Sequence, residues 1–349
     1  MKIANRNIGP SEPPFIIAEM SGNHNGDINR AIALIHEAKK AGADAVKLQT
    51  YTADTITINH DSEEFMISGG LWDGSKLYDL YEKAHTPWDW HAQLFEEADK
   101  AGIIIFSSPF DPTAVDFLEE LNAPAYKIAS FELVDIPLIE KVASTGKPII
   151  MSTGNACLGE IELAVTAARN AGAKDIALLH CTSGYPTPAS QANISTMAVI
   201  RDTFQCQVGL SDHTLDIGVS VAAVALGASI IEKHFTLSRA DGGPDSAFSL
   251  EKQELKQLVD NCQMAYQSIG HPNFISTEAE RQTKCHRRSL YVTKAVAKGE
   301  KLTASNVRSI RPSNGLSPKH YHTVLGQTAL RDLQFGEPLD WTMFQKAKD

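Results

Sequence analysis

Two short stretches carry the strongest chemical signal in this 349-residue chain: Ser211-Asp212-His213-Thr214 and Glu232-Lys233-His234-Phe235-Thr236. Each closes an apolar run, Val208-Gly209-Leu210 before the first and Ala228-Ser229-Ile230-Ile231 before the second. Between them, Ile217 to Leu226 is rich in Ala and Val and reads as helix. The pattern is strand, helix, strand. Side chains alternate faces along a strand, so Ser211 shares a face with His213, and Glu232 shares one with His234. Two imidazoles at the ends of neighbouring parallel strands can converge on one metal ion. A lone histidine is more often packed or solvated. Two at matching strand ends, each with a polar residue two positions back, point to a site. Histidine with oxygen ligands suits Mn²⁺, Fe²⁺, Co²⁺ or Zn²⁺, and spacing alone does not choose among them.

Other apolar runs end on polar residues in the same way: Glu19, Lys47 with Gln49, Ser108, Lys127 with Ser130, Ser152, and Ser183. Lysines buried at such ends need counter-charge, or their pKa values fall. A bound phosphate would supply it, and Ser108, Ser130, Ser152 and Ser211 add short hydroxyl donors around it. The bland alternative is lysines paired with carboxylates and serines chosen for their size. Glu19, Glu232 and Glu132 lie at or just past strand ends, where a carboxylate can act as general base. For Glu232 a structural ion pair with Lys47, Lys127 or Lys233 is an equal alternative. The polar segment Ala18 to Gly26, with His24, is expected to line the same site.

The elements that must position these residues alternate from the start. Strands are expected at Phe15–Met20, Ala45–Thr50, Ile103–Phe110, Ala125–Ser130, Pro148–Thr153 and Ile176–Ser183, followed by the opening pair. Helical spacing follows at Ala31–Ala41, Trp88–Ala101 and later segments, and a longer insertion covers 51–87. Eight strands, each followed by a helical segment, predict a (β/α)8 TIM barrel, whose chemistry sits at the C-terminal ends of its strands. A doubly wound sheet is the weaker alternative, because no Gly-x-Gly-x-x-Gly follows the first strand. The barrel domain is expected over 1–270, a linker over 271–286, and a small turn-rich domain over 287–349.

Composition sets outer limits. A net charge of −10 argues against nucleic acid or an anionic membrane as the main partner. Anionic substrates must then be held by a local cluster of cations. Five scattered cysteines without a Cys-x-x-Cys pair fit a reducing, cytoplasmic setting. The N-terminus reads as lacking a signal peptide. No run of about 18 apolar residues predicts a membrane span.

The motifs together resemble the sialic acid synthase family, which condenses phosphoenolpyruvate with an acylamino sugar. The resemblance rests on Phe15 to Gly26, Val46-Lys47-Leu48-Gln49-Thr50, Ser107-Ser108-Pro109-Phe110, Tyr126-Lys127-Ile128-Ala129-Ser130, Met151-Ser152-Thr153-Gly154, Leu179 to Pro188, Gly209 to Thr214 and Ile231 to Thr236. The C-terminal segment, with Arg287-Arg288-Ser289-Leu290-Tyr291, Arg311-Pro312 and Gly326, is similar to the antifreeze-protein-like (SAF) domain of these synthases. The resemblance implies that Lys47, Ser108, Lys127, Ser130, Ser152, Ser183 and Ser211 bind phosphoenolpyruvate. It implies that His213 and His234 hold a divalent metal, usually Mn²⁺, and that Gln49, Tyr185 and Asp245 contact the sugar. It further implies a domain-swapped homodimer in which Arg311 enters the active site of the partner subunit.

Within the family, Gly69 to Tyr81 and Thr86-Pro87-Trp88 resemble the branch that takes a 6-deoxy-2,4-diacetamido sugar. Ser183, where sialic acid synthases usually carry Asn, and Arg311-Pro312-Ser313-Asn314-Gly315, in place of Arg-Pro-Gly-Asn-Gly, point the same way. Other acylamino sugars, such as N-acetylmannosamine, stand as the alternative. Trp72, with Leu71, Leu77 and Tyr78, is expected to form an apolar wall beside the mouth.

Overall fold

The computed structural model describes residues 1–345, so the last four positions of the domain expected over 287–349 lie outside the described residues. The apolar runs form eight parallel strands: β1 (Phe15–Glu19), β2 (Ala45–Thr50), β3 (Ile104–Pro109), β4 (Tyr126–Ile128), β5 (Ile149–Ser152), β6 (Ile176–Cys181), β7 (Gln207–Asp212) and β8 (Ile230–His234). They close into a barrel in which β8 pairs with both β7 and β1. The main helices are α1 (Ile28–Ala41), α2 (Trp88–Ala101), α3 (Pro112–Glu120), α4 (Ile136–Ser144), α5 (Leu158–Asn170), α6 (Thr196–Phe204), α7 (Gly218–Ala225) and α8 (Lys252–Ile269). Helix α1 shows why its ends fall where they do. Asp27 caps the first turn by accepting from the Asn29 amide, and Gly42 leaves the last turn at φ 92°, a left-handed conformation that costs glycine least.

Strand alternation divides the barrel into two environments. Phe15, Ile17, Ala45, Phe106, Ala125, Ile150, Ala177, Leu179 and Ile230 point inward and form one apolar cluster, joined by Ile3 and Ile8 of the N-terminal segment. Their neighbours Ile16, Ala18, Val46, Leu48, Ile105, Ile128, Met151, Leu178, Leu210 and Ile231 point outward and pack with the helices in the larger core. Continuing the inward series by two residues gives Glu19, Lys47, Ser108, Lys127, Ser152, Ser211 and Glu232. The chemistry therefore sits directly on an apolar floor. Gly209 lies in that series because nothing larger fits. A Cβ there would stand 2.3 Å from the Ile230 carbonyl oxygen and 2.7 Å from Leu179 Cδ2.

The insertion of 51–87 contains two short helices, Ala53–Ile56 and Leu77–Ala84. The chain divides into two compact units, 1–270 and 271–349. The second has its own core of Leu290, Val292, Val296, Leu302, Val307, Leu333, Leu339 and Phe344. It is built on antiparallel pairs β9 (Ser289–Val292) with β10 (Val307–Ile310), and β11 (Thr328–Ala329) with β12 (Phe344–Gln345). Residues 271–286, read as linker, carry the helical turn Glu278–Arg281 and a 3-10 turn at Lys284–His286. Their end is stitched to the Arg311 loop by the Ser313 amide donating to the Cys285 carbonyl at 3.0 Å. Among the described residues no helix is long and apolar enough to cross a membrane.

Gly209→Ala should lower unfolding stability by about 1–3 kcal/mol, since the new methyl meets backbone that cannot swing away. Gly218→Ala, in open space at the start of α7, should stay within about 0.5 kcal/mol of the parent. Denaturant unfolding of both compares them, and equal stabilities would refute the packing argument.

Candidate active site

Four charges lie at the ends of the inward series, all buried: Glu19, Lys47, Lys127 and Glu232. Lys47 Nζ stands 2.9 Å from Glu19 Oε2 and 3.7 Å from Glu232 Oε1. Lys127 Nζ stands 3.8 Å from the same Glu232 oxygen. Lys47 donates to Ser108 Oγ at 3.2 Å, Lys127 to Ser152 Oγ at 2.6 Å, and Ser211 Oγ to Glu232 at 3.1 Å. Gln49 donates to Glu19 Oε1 at 2.8 Å. The lysines are thus paired with barrel carboxylates, and the serines bond to those same charged groups. The structural and the chemical readings of these residues fall on the same atoms. Lys233 does not join them, because it points outward.

The two carboxylates are not equivalent. Burial, reinforced by nearby Glu232, pushes Glu19 up to about 7 against the pull of Lys47. For Glu232, burial is outweighed by the ammonium groups of Lys127 and Lys47, and its pKa falls. Burial also works against the charge on Lys47, but the flanking carboxylates overcome it and hold its pKa above the ordinary value. Burial prevails at Lys127, whose pKa is lowered. The shifts run in opposite directions within each pair: Glu232 and Lys47 are held toward their charged forms, Glu19 and Lys127 toward their neutral ones.

Ser130 and Ser183 reach this place from the ends of β4 and β6. Gly154 lies between them: a Cβ on it would come within 2.7 Å of Ser130 Oγ and 2.2 Å of Ser183 Oγ. Gly154 keeps that cradle open, and its signal in the sequence is its position two residues past Ser152. Glu132 follows β4 in a 3-10 turn, Phe131–Val134. Its Oε2 is buried without a hydrogen-bond partner, and burial raises it to about 7.

His213 and His234 are buried with ring centroids 5.4 Å apart. His213 Nδ1 lies 3.1 Å from the Thr182 carbonyl, which can only accept, so Nδ1 carries a proton and the neutral ring has its lone pair on Nε2. Burial opposes the ring's charge, but Cys181, that carbonyl and Glu232 hold its pKa above the ordinary value. A metal-bound histidine is usually held by such a bond. Burial, with His213 alongside, keeps His234 neutral well below the ordinary histidine range. Its Nδ1 is buried without a hydrogen-bond partner. Both rings can present lone pairs to a cation. Asp245 Oδ2 lies 3.9 Å from His234 Nδ1 and accepts from Ser21 Oγ.

Tyr185 covers the histidines, 4.4 Å from the His213 ring and 6.5 Å from His234. Phe248 packs beside it, 5.3 Å from the Tyr185 ring and 4.8 Å from His234. Trp72 from the insertion meets Tyr185 at 5.7 Å and is anchored by its indole N–H to the Pro244 carbonyl at 3.0 Å. It borders a cavity of about 520 Å³ lined also by Leu71, Leu80, Lys83, Pro244 and Ala247. Leu77 and Tyr78, expected in this wall, do not line it. Tyr78 instead donates to Asp54 at 3.1 Å.

His24 does not line the mouth as expected. It is fully buried against the edge of Trp90, and burial lowers its pKa to about 4. It is a core histidine, whose Nδ1 accepts from the Gly26 amide. Arg311 is exposed on a loop of the second unit. Sequence reasoning misses Phe248, whose partners His234 and Tyr185 lie far from it along the chain.

Residues 34–273 match the NeuB family, and residues 287–345 match the SAF domain. The chain is 45% identical over 329 residues to a pseudaminic acid synthase of Helicobacter pylori, covering 94% of this chain and 97% of that protein. It is 44% identical to the pseudaminic acid synthase of a Campylobacter jejuni strain, over 97% of this chain and 99% of the relative. A crystal structure of an N-acetylneuraminic acid synthetase from Leptospira borgpetersenii, in complex with citrate, superposes with a TM-score of 0.73 at 33% identity, covering 81% of this chain and 94% of that one. Matched by the family model over most of its barrel and by these relatives over nearly its whole length, the chain belongs to the NeuB family, with a SAF domain after the barrel.

Proposed function

We propose that this chain is a pseudaminic acid synthase. C3 of phosphoenolpyruvate bonds to the aldehyde carbon of open-chain 2,4-diacetamido-2,4,6-trideoxy-L-altrose, and the aldehyde oxygen becomes a hydroxyl. Water adds at C2, the C2–O bond to phosphate breaks, and pseudaminic acid and phosphate leave. The observation that carries the choice of sugar is 45% identity to a pseudaminic acid synthase over 94% of the chain. Trp72, whose ring meets Tyr185 over the histidines, supports it: an aromatic face there suits a C6 methyl and a second acetamido methyl, each worth roughly 0.8 kcal/mol when buried.

Lys47 and Lys127, with Ser108, Ser130, Ser152, Ser183 and Ser211, hold the phosphate and carboxylate of phosphoenolpyruvate through charge-assisted bonds. Gln49, Tyr185 and Asp245 contact the sugar. His213 and His234 hold a divalent ion, Mn²⁺ in this reading. Such an ion supplies Lewis-acid polarisation of the sugar carbonyl. Fixing the two reactants together removes much of the entropic barrier, several kcal/mol in sites of this kind, about 7–11 at best. Glu132 takes a proton from the attacking water. Glu19 is the weaker candidate, because Lys47 and Gln49 already engage its two oxygens. Five unpaired cysteines support a cytosolic enzyme. Arg311 completes the mouth of a second copy in a domain-swapped homodimer, where its guanidinium can bond a carboxylate or amide in two places.

Three outcomes test this. Given a panel of 2-acetamido and 2,4-diacetamido sugars with phosphoenolpyruvate, the protein should release phosphate fastest with the 6-deoxy-2,4-diacetamido hexose. Faster turnover of N-acetylmannosamine at saturation would overturn the branch.

Glu132 is protonated below about 7 and cannot then serve as base. The parent's kcat/KM should therefore climb as pH rises through that value. Glu132→Gln should lose that limb and about 10²–10⁴ in rate, and Glu19→Gln should keep the limb. A limb that survives in Glu132→Gln removes Glu132 from the role.

Mixing His213→Ala with Arg311→Ala protein should restore activity that neither has alone, because the mixed dimer holds one complete site. Proven heterodimers without recovery would rule out the exchange.

A further inference from the structure

Among the described residues, Lys233 and Asp212 are the one buried ion pair at the strand ends that faces away from the barrel interior. Each side chain is 1% exposed, and Nζ stands 2.9 Å from Asp212 Oδ2. The same ammonium donates to the Thr214 carbonyl at 2.6 Å and to Thr214 Oγ1 at 3.4 Å. Asp212 Oδ2 also accepts from Ser220 Oγ of α7 at 2.6 Å, and Oδ1 accepts from the Thr214 amide at 2.9 Å. Every charge-bearing atom of the pair is thus bonded. Alternation keeps both side chains out of the mouth, in the layer between strands and helices, so neither touches a bound substrate.

Their place in the chain is informative. Asp212 and Lys233 are direct partners in the β7–β8 register. His213 follows the first and His234 follows the second. Strand β7 ends at Asp212, so His213 stands beyond the regular ladder, where the Thr187 amide donates to its carbonyl at 3.0 Å and the Thr182 carbonyl holds its ring. The ion pair adds a third fixture. One ammonium grips the residue before it and the residue after it, and is itself carried by the residue before His234. A buried ion pair is weak evidence of stability, since apolar residues of similar size often serve as well. It does fix geometry.

We propose that Lys233 and Asp212 are positioning residues that set the separation of His213 and His234, and with it the affinity for the divalent ion those imidazoles hold. This rests on the reading of the two histidines as metal ligands. The test is Mn²⁺ binding to metal-free full-length protein, followed by the electron paramagnetic resonance of free Mn²⁺, alongside thermal unfolding without metal. The variant Asp212→Leu/Lys233→Met removes both charges together and strands neither. It should unfold close to the parent temperature and bind Mn²⁺ about 10–100-fold more weakly, the range typical when support for a metal-ligating histidine is lost. Ser220→Ala, which removes one bond to Asp212, should weaken binding in the same direction by less. A parent that binds no Mn²⁺, or a His213→Ala variant that binds as the parent does, overturns the metal reading and this proposal with it. Binding lost in His213→Ala but unchanged in the double variant overturns the positioning role alone. Should the double variant fail to fold, Ser220→Ala decides, and parent affinity there overturns the role.

Discussion

Four buried charges on an apolar floor constrain everything above them. Removing an isolated ion from water costs several kcal/mol even after the protein relaxes, so Glu19, Lys47, Lys127 and Glu232 are tolerable only together. Each needs its partner within reach: 2.9 Å for Lys47 and Glu19, 3.7 and 3.8 Å for the two lysines around Glu232. These charges come from β1, β2, β4 and β8. A closed sheet with fixed register is what can hold four strand ends to such spacing, and neighbouring serines bond the two lysines and Glu232. The floor contributes by being dry. Phe15, Ile17, Phe106, Ile150 and Leu179 are fully buried, which keeps solvent from screening the charges from below.

The period-two alternation that builds the floor also sorts function. Inward positions at the strand ends line the barrel mouth, and the residue between two inward positions faces the helices. Asp212 and Lys233 use that second face for a second charge pair directly behind the histidines. The same sequence motif therefore holds two layers, a chemical one and a supporting one, one residue out of phase. Packing on the mouth side completes the arrangement. Tyr185 and Phe248 pack against each other and against the imidazoles, and Trp72 braces Tyr185 from the insertion.

Much of this was legible in the sequence because parallel barrel strands announce themselves. An apolar run that ends in Lys, Ser or His is rarely an accident when it recurs along a chain, so Lys47, Lys127, Ser152, His213 and His234 could be placed without coordinates. Contacts between distant segments could not. Nothing in Glu19 or Glu232 says which lysine each will face. Nothing near Trp72 announces that its ring meets Tyr185, more than a hundred positions later. His24 failed for a related reason. Its polar neighbours suggest a site loop, yet the chain turns its ring into the core against Trp90, where an unprotonated imidazole packs like any small aromatic. Leu77 and Tyr78 failed because the helix Leu77–Ala84 turns Leu80 and Lys83, not them, toward the cavity.

The charge arithmetic of the cluster bears on how an anion enters it. Without ligand, Glu232 is held ionised by both lysines and Glu19 shares Lys47. Those are the positive groups an incoming phosphate or carboxylate would use. An anion of two or more charges placed beside Lys47 and Lys127 raises the cost of an ionised carboxylate in the same dry space. Glu19, already lifted to about 7, is the group that can respond by taking up a proton at little cost. Glu232 cannot do so as readily, since Ser211 and two ammonium groups favour its charge. The unequal carboxylates thus give the cluster a buffer. One stays charged and keeps the lysines in place, while the other can be neutralised. A pair of equivalent carboxylates would either cancel the lysines fully or leave both unpartnered.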